Sequence, residues 1–311
     1  MAIATSRTTQ SPEINIDTNL CDGCGLCVSV CSDNSLEIGE TKFAKRSDNS
    51  VFDCIGCGHC MAICPTGAIE VFGRELSVND IYKLSFEKSD AKENIDNYQN
   101  LLLLLQKRRS IRDFKDKSIA PELIEKILTA VKTAPMGIPP SDVNVLIFDT
   151  KEKTRAFAED FSKYLKSISF MTSNIFLTLM RPFWGKEIDA LFRSFLKPLF
   201  KIYTEEMDKS KNLITYDAPL TIYFYGSPYC DPADPIISAT YAMIAGEALG
   251  LGTCMLGGIH PMIQNGKKAK EFRERHNIKC KSKEGLFVVF GYPKAKYKKG
   301  IKRSFASVNY A

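Results

Sequence analysis

Cys21-Asp-Gly-Cys24-Gly-Leu-Cys27-Val-Ser-Val-Cys31 and, after a gap, Cys54-Ile-Gly-Cys57-Gly-His-Cys60-Met-Ala-Ile-Cys64-Pro65 form the stretch around which the chain is organised. Each run has the spacing C-x2-C-x2-C-x3-C, the ligand pattern of a two-cluster iron–sulfur module. A cubane cluster needs four thiolates. Three closely spaced cysteines wrap it from one tight loop, and the fourth corner takes the last cysteine of the other run. Cys21, Cys24, Cys27 and Cys64 are therefore assigned to one cluster, and Cys54, Cys57, Cys60 and Cys31 to the other. Gly23, Gly25, Gly56 and Gly58 stand between ligands, where the backbone must bend sharply and its N–H groups can point at sulfur. Pro65 follows the last ligand, and Ser32 takes that place in the first run. A zinc site would use two C-x2-C pairs, and a disulfide framework needs an oxidising compartment. Neither accounts for two four-cysteine runs.

The stretch resembles the bacterial two-[4Fe-4S] ferredoxin family over about the first quarter of the chain. The ferredoxin-like domain is expected over 1–75, a connector over 76–100 and a larger domain over 101–311. Leu36-Glu-Ile38 and Ala68-Ile-Glu-Val71 follow the two runs as short strands, as a twofold repeat requires. Residues 76–97 are charged and mixed, with Ile81 and Leu84 their main apolar positions. Of the eleven cysteines three remain, Cys230, Cys254 and Cys280, and an odd number of thiols fits a reducing interior. Residues 1–75 carry net charge −5 and the remainder +11, within a total of +6. A basic body suits an anionic cofactor, nucleic acid or a membrane surface. No nucleic-acid motif is present, which favours the cofactor. Met1 to Glu13 has no apolar signal region, and Ser167 to Met180 is too short to span a bilayer. The expected location is cytoplasmic.

Leu101 to Gln106 reads as an apolar helix that runs into Arg108-Arg109-Ser110-Ile111-Arg112-Asp113-Phe114. That segment is either a solvated surface or a phosphate grip, since arginine forks match phosphate oxygens and serine adds a donor. A helix follows with Pro121 in its first turn and Leu123, Ile124, Ile127, Leu128 and Val131 on its apolar face. The loop Thr133 to Asp142 then feeds a strand, Val143 to Phe148. Later, Ser238 to Leu249 is a small-residue helix leading to Gly250-Leu-Gly252-Thr253-Cys254-Met-Leu256-Gly257-Gly258. Leu286 to Phe290 is a buried strand before Gly291-Tyr292-Pro293 and a lysine-rich tail.

These three blocks, in this order and spacing, resemble the FMN-dependent nitroreductase family from Leu101 to the end, apart from a divergent middle. The resemblance implies an α+β chain: a two-[4Fe-4S] ferredoxin-like domain followed by a nitroreductase-like domain, a mixed sheet flanked by helices, in a homodimer. It implies that Arg108, Arg109, Ser110 and Arg112 hold the FMN phosphate, ribityl chain and ring edge. Met136, Gly137, Ile138, Pro139 and Ser141 match the loop that the second subunit lays over the flavin. Leu256, Gly257 and Gly258 match the backbone near flavin N5. Lys296, Lys299 and Arg303 are candidates for a second phosphate grip. Many members carry Asn and then Gln-Pro-Trp in the first loop, where this chain has Pro139 and Ser141-Asp142-Val143. Side-chain amides for the ring are therefore absent there.

Residues 155–216 are rich in aromatics: Phe157, Phe161, Tyr164, Leu165 and Ile168 at helical spacing, then Phe170, Phe176, Phe183, Trp184, Phe192, Phe195 and Phe200 among basic residues. They read as helices covering the core or a dimer interface, as a lid over a substrate pocket, or as a membrane-surface helix. His260 and Glu247 read as structural, and Cys254 as a small buried side chain in a glycine-rich turn. No catalytic acid–base pair is assigned. The expected function is an oxidoreductase using FMN and two [4Fe-4S] clusters to reduce nitro, quinone or other electron-poor compounds. Its donor would be reduced ferredoxin, flavodoxin or NAD(P)H. The alternative is an electron-transfer or redox-sensing protein without small-molecule turnover.

Overall fold

A computed structural model describes residues 12–31, 34–48, 50, 54, 56–73, 91–294 and 307–310, apart from the side chains of 91–95 and 195. By its contacts the chain divides into two units. One is Met1–Ile95 with Pro135–Asn144 and Gly226–Asp234, and the other is Asp96–Ala134, Val145–Tyr225 and Pro235–Ala311.

The cysteine runs are built on a repeated pattern. Strand β1 (Glu13–Ile16) leads into helix α1 (Leu26–Ser29) and strand β2 (Leu36–Ile38). Strand β3 (Ala44–Arg46) leads into α2 (His59–Ile63) and β4 (Ile69–Phe72). The two strands expected after the cysteine runs are thus β2 and β4. The copies interlock: β1 pairs antiparallel with β4, and β2 with β3. Each short helix starts behind a left-handed glycine, Gly25 at φ 73° and Gly58 at φ 75°. Strand alternation turns Ile69 and Val71 inward to join Leu36, Ala44, Cys27, Cys54 and Cys60 in a small core. Three of those seven core residues are motif cysteines, so this core and the cysteine sites are one packing problem.

In the rest of the chain α3 (Ala91–Lys107) precedes α4 (Pro121–Val131), whose first turn carries Pro121 and whose inner face buries Ile124 and Ile127. The helix expected from Leu101 thus begins ten residues earlier, inside the expected connector, of which 76–90 lie outside the described residues. Strand β5 (Val143–Phe148) follows, then α5 (Lys151–Ser167), capped by the Thr150 side chain, which accepts from the Lys153 N–H. A 3-10 turn leads to α6 (Asn174–Leu191), which bends at Gly185 (φ 80°) and runs through a π-helical turn, Phe192–Leu196, into α7 (Lys197–Asp208). Then come β6 (Leu220–Gly226), α8 (Ala233–Ala248), β7 (Gly252–Leu256), α9 (Ile259–Met262), α10 (Lys267–Arg275) and β8 (Gly285–Gly291).

The four strands form one sheet in the order β5-β6-β8-β7, with β8 antiparallel to both neighbours. Every residue of β6 and β8 is buried, so both strands read as continuous apolar runs rather than alternating ones. On one side α5 lays down Phe157 and Phe161, with Phe157 at 5.2 Å from the Phe287 ring and Phe272 of α10 closing over both. Elsewhere α8 comes close because its residues are small: a Cβ at Gly246 would sit 3.0 Å from the Phe290 ring. The middle stretch therefore splits in two. Its α5 face is core, while α6 leaves Ile175, Leu179 and Phe183 exposed at 85%, 67% and 79%. Among the described residues no helix is long and apolar enough to cross a membrane.

Candidate functional site

The eight motif cysteines come together in two sets of four, and none is in a disulfide. Cys21, Cys24, Cys27 and Cys64 line one cavity, and Cys31, Cys54, Cys57 and Cys60 line the other. Each set takes three cysteines from one run and one from the other. Among the described residues no three His, Cys, Asp or Glu side chains close on a single ion. The repeat extends to hydrogen bonds. The Ser35 N–H donates to Cys31 Sγ and the Ala68 N–H to Cys64 Sγ, both at 3.3 Å, and the Gly56 N–H donates to Cys54 Sγ at 3.4 Å. Burial pushes the Cys60 thiol up to about 12, with Cys54 and Cys57 adding to it. Burial also acts to raise Cys64, but bonds from Thr66, Ala68 and Gly67 outweigh it and leave that thiol lowered. Thiols that repel one another's ionisation, ringed by N–H donors, suit a cationic metal cluster.

The arginine-rich segment is laid along the edge of the sheet. Ser110 bridges to Thr253 of β7 and Phe114 to Pro293, with the Ile111 N–H donating to the Thr253 carbonyl at 2.9 Å. Gly252 and Gly291 permit this, because a Cβ there would meet Ile111 Cγ1 at 2.6 Å and the Phe114 ring at 2.5 Å. Arg108 and Arg109 are half-buried and Ser110 and Arg112 exposed. The Glu247 carboxyl opposes this charge. Burial raises it, while Arg108, Arg109 and Lys107 pull the other way. Arg112 lies 5.9 Å from the Tyr216 ring centre and interacts with Cys254 and Tyr216. Burial raises Cys254, against Arg112, Ser110 and Arg108, and burial pushes Tyr203 of the same cluster up to about 12. Three arginines and a hydroxyl on a pinned extended backbone suit a phosphate ester. Thr253 adds a fully buried hydroxyl with no hydrogen-bond partner among the described residues.

The structure corrects one expectation here. Cys254 sits inside β7, not in a turn, and its sulfur joins Arg112 and Ser110. Glycine-rich flanks suggested a turn, but Gly252 is there to admit Ile111. Tyr203 and Tyr216 were not foreseen as neighbours of Arg112. The one local signal was Asn212 before Tyr216-Asp217, two residues with positive φ of 56° and 49°. Asn212 Oδ1 accepts from the Ile214 and Thr215 N–H groups, and its Nδ2 donates to Asp217.

In the other unit the Gly137 N–H donates to the Asp234 carboxylate at 3.1 Å, and Ser141 Oγ accepts from the Val143 N–H. Met136 and Ile138 are half-buried and Pro139 is buried. At the end of β7 Leu256 is buried, Gly257 exposed and Gly258 half-buried, with Leu199 of α7 3.2 Å from where a Gly258 Cβ would stand. Lys296, Lys299 and Arg303 lie outside the described residues. His260 is buried and held by the Tyr223 hydroxyl at 2.8 Å and by Gln264.

The family model described as Nitroreductase matches residues 105–292, and that of the 4Fe-4S dicluster domain matches 20–68. No curated protein matches the sequence. Among solved structures the chain is similar to a nitroreductase with bound FMN from Desulfitobacterium hafniense DCB-2. The identity is 21%, the match covers 68% of this chain and 97% of that one, and the TM-score is 0.48. A nitroreductase with bound FMN from Bacteroides fragilis NCTC 9343 gives 15% identity, 68% and 98% coverage and a TM-score of 0.48. An FMN-dependent nitroreductase from Clostridium difficile R20291 gives 21%, 66% and 98%, and 0.40.

Proposed function

The chain belongs to the nitroreductase family and carries a 4Fe-4S dicluster domain ahead of that match, and on this premise we propose an oxidoreductase that reduces nitro, quinone or other electron-poor compounds. It would use FMN and two [4Fe-4S] clusters. The observation that supports this best is the sorting of eight cysteines into two cavities of four in a chain that also pins an arginine-rich segment to its sheet edge. When bound, clusters exchange electrons singly and a flavin exchanges them singly or in pairs, so the protein converts between the two regimes.

The chain's own residues bind and tune. Cys21, Cys24, Cys27 and Cys64 would hold one cluster, and Cys31, Cys54, Cys57 and Cys60 the other. Arg108, Arg109 and Ser110 would grip the phosphate end of FMN, with Lys296, Lys299 and Arg303 as further candidates. Arg112, held by Tyr216 and Cys254, would stand at the ring edge. Backbone N–H groups at Leu256 to Gly258 would stabilise negative charge on the reduced ring. Met136, Gly137, Ile138, Pro139 and Ser141 would cover the flavin of a second subunit in a homodimer. No side chain is assigned as proton donor, and water supplies the proton. Reduced ferredoxin, flavodoxin or NAD(P)H would be the donor, in a cytoplasmic setting that keeps cluster thiols reduced.

The test is an anaerobic titration of the purified protein followed by visible absorbance. NADH, NADPH or reduced ferredoxin is added first and a nitroaromatic second. Bleaching of flavin and cluster bands by one donor, reversed by the acceptor, is expected. Cluster bleaching with no flavin signal would sink the FMN assignment and leave an electron carrier. The 139–143 loop, which offers no side-chain amide to a flavin ring, favours that second reading.

A further inference from the structure

A cleft of about 650 Å³ opens among α5, the π turn and α7, and its lining includes none of the residues assigned to the flavin or the clusters. Its size is within the ~300–1,000 Å³ of small-molecule sites. Four cations line it: Lys166 from α5, Arg193 from the π turn, and Lys197 and Lys201 from α7. The last three are spaced four apart, so they run down one face of a continuous helix. Exposed Pro198 supplies apolar wall, with the 8%-exposed Phe200 beside it and the fully buried Leu165 behind.

Like charges at this spacing repel one another, and the fourth cation stands on another wall. The protein's own acids answer them only in part. Lys166 pairs with Asp208, and Arg193 pairs with Asp189 at 2.9 Å. Lys197 donates to the neutral side-chain carbonyl of Asn174 at 2.7 Å. Lys201 reaches Glu205 only at 3.9 Å, with 71% and 54% of the two side chains exposed. Arg193 also donates to the Thr178 hydroxyl at 3.2 Å, so the charge least answered by the protein's own acids is that of Lys197 and Lys201. A π turn at the head of the row is a second pointer, since such turns are frequent at functional sites.

We propose that this cleft binds a phosphate-bearing organic anion of the size of a nucleoside diphosphate. Its phosphates lie on Lys197, Lys201 and Arg193, and its flat apolar body lies against Pro198 and Phe200. The site does not depend on the FMN assignment, because none of its residues belongs to the flavin-matched segments.

Calorimetric titration of the full chain, with clusters intact and excess FMN present, tests this with ADP and with inorganic pyrophosphate. ADP is expected to bind one per chain and more tightly than pyrophosphate, with affinity falling as salt rises. Lys197→Ala with Lys201→Ala should weaken ADP about tenfold or more, as loss of charge-assisted bonds does. Lys209→Ala, at the residue that follows α7 and outside the cleft, should leave binding unchanged. Circular dichroism and the cluster absorbance serve as fold controls. ADP binding that survives the double substitution, or that is lost in Arg108→Ala instead, would overturn the proposal. Equal affinity for pyrophosphate would overturn the organic part of it.

Discussion

At Gly252 and Asn212 single residues hold the arginine segment in place. A Cβ on Gly252 would press on Ile111 Cγ1 and Cβ at 2.6 and 2.8 Å, and Ile111 is itself tied to β7 by its backbone. Gly252→Ala is therefore expected to cost about 1–3 kcal/mol of stability through overpacking. Its flavin-to-protein ratio after gel filtration should also fall, and a wild-type ratio and melting temperature would refute the pinning argument. Asn212 satisfies the turn that presents Tyr216 to Arg112. Asn212→Ala should cost about 1–3 kcal/mol, because buried N–H groups lose their acceptor. Denaturant midpoints measure this. Two histidines set a pH dependence. Burial lowers His260 and His276 from 6.5, in the second case against the pull of Asp160. Below that value the unfolded chain takes up protons that the folded chain refuses. Stability should thus fall as pH drops from about 7 toward 5 and be flat above about 7.5. Urea midpoints across that range check it, and a rise in stability on acidification would contradict it.

On the scale of elements, α6 is the segment in which sequence pattern and burial part company. Ile175, Leu179 and Phe183 recur every four residues, the spacing of an inward helix face, yet all three are exposed. Leu177 on the same helix is fully buried. Asp at 175, 179 or 183 is expected to change stability by no more than about 0.5 kcal/mol, as for other surface sites. Leu177→Ala should cost about 2–5 kcal/mol through the cavity it leaves. Chemical denaturation of the four variants separates them, and a large loss at Phe183 would show that face to be covered in solution. By contrast α5, β6 and β8 obey the simpler rule that an apolar residue at the right period is core.

For the whole molecule, the interlocked repeat makes the two cysteine sites depend on each other's runs. On the proposed assignment Cys57→Ser would remove a ligand of one set only, so about half of the iron should be lost while the other set stays filled. If the clusters carry electrons to the flavin, that variant should accept hydride from NAD(P)H as the wild type does and be reduced far more slowly by a one-electron donor. Iron analysis and stopped-flow absorbance read the two effects. Equal slowing by both donors would mean that the clusters support the fold rather than conduct.

The cysteine spacing alone marked three members of each set of four that the structure brings together, because residues a few positions apart in tight glycine turns leave the backbone little choice, and the fourth member of each set followed from the two-cluster pattern. The strands β2, β4, β5 and β8 and the helices α4 and α5 were legible for a similar reason, since their periodicity is written within a few residues. The arginine segment was legible as a cluster of charge, but its place on the sheet was not. That place depends on Gly252 and Gly291 meeting Ile111 and Phe114 across the chain. Strand β6 was hidden because an unbroken apolar run has no period to distinguish strand from buried helix. Only the tertiary structure decided that Cys254 lies in a strand beside Arg112, that α6 turns its apolar stripe outward and that four cations face one cleft. Each of these joins residues far apart in sequence, and such contacts are set by packing rather than by local preference.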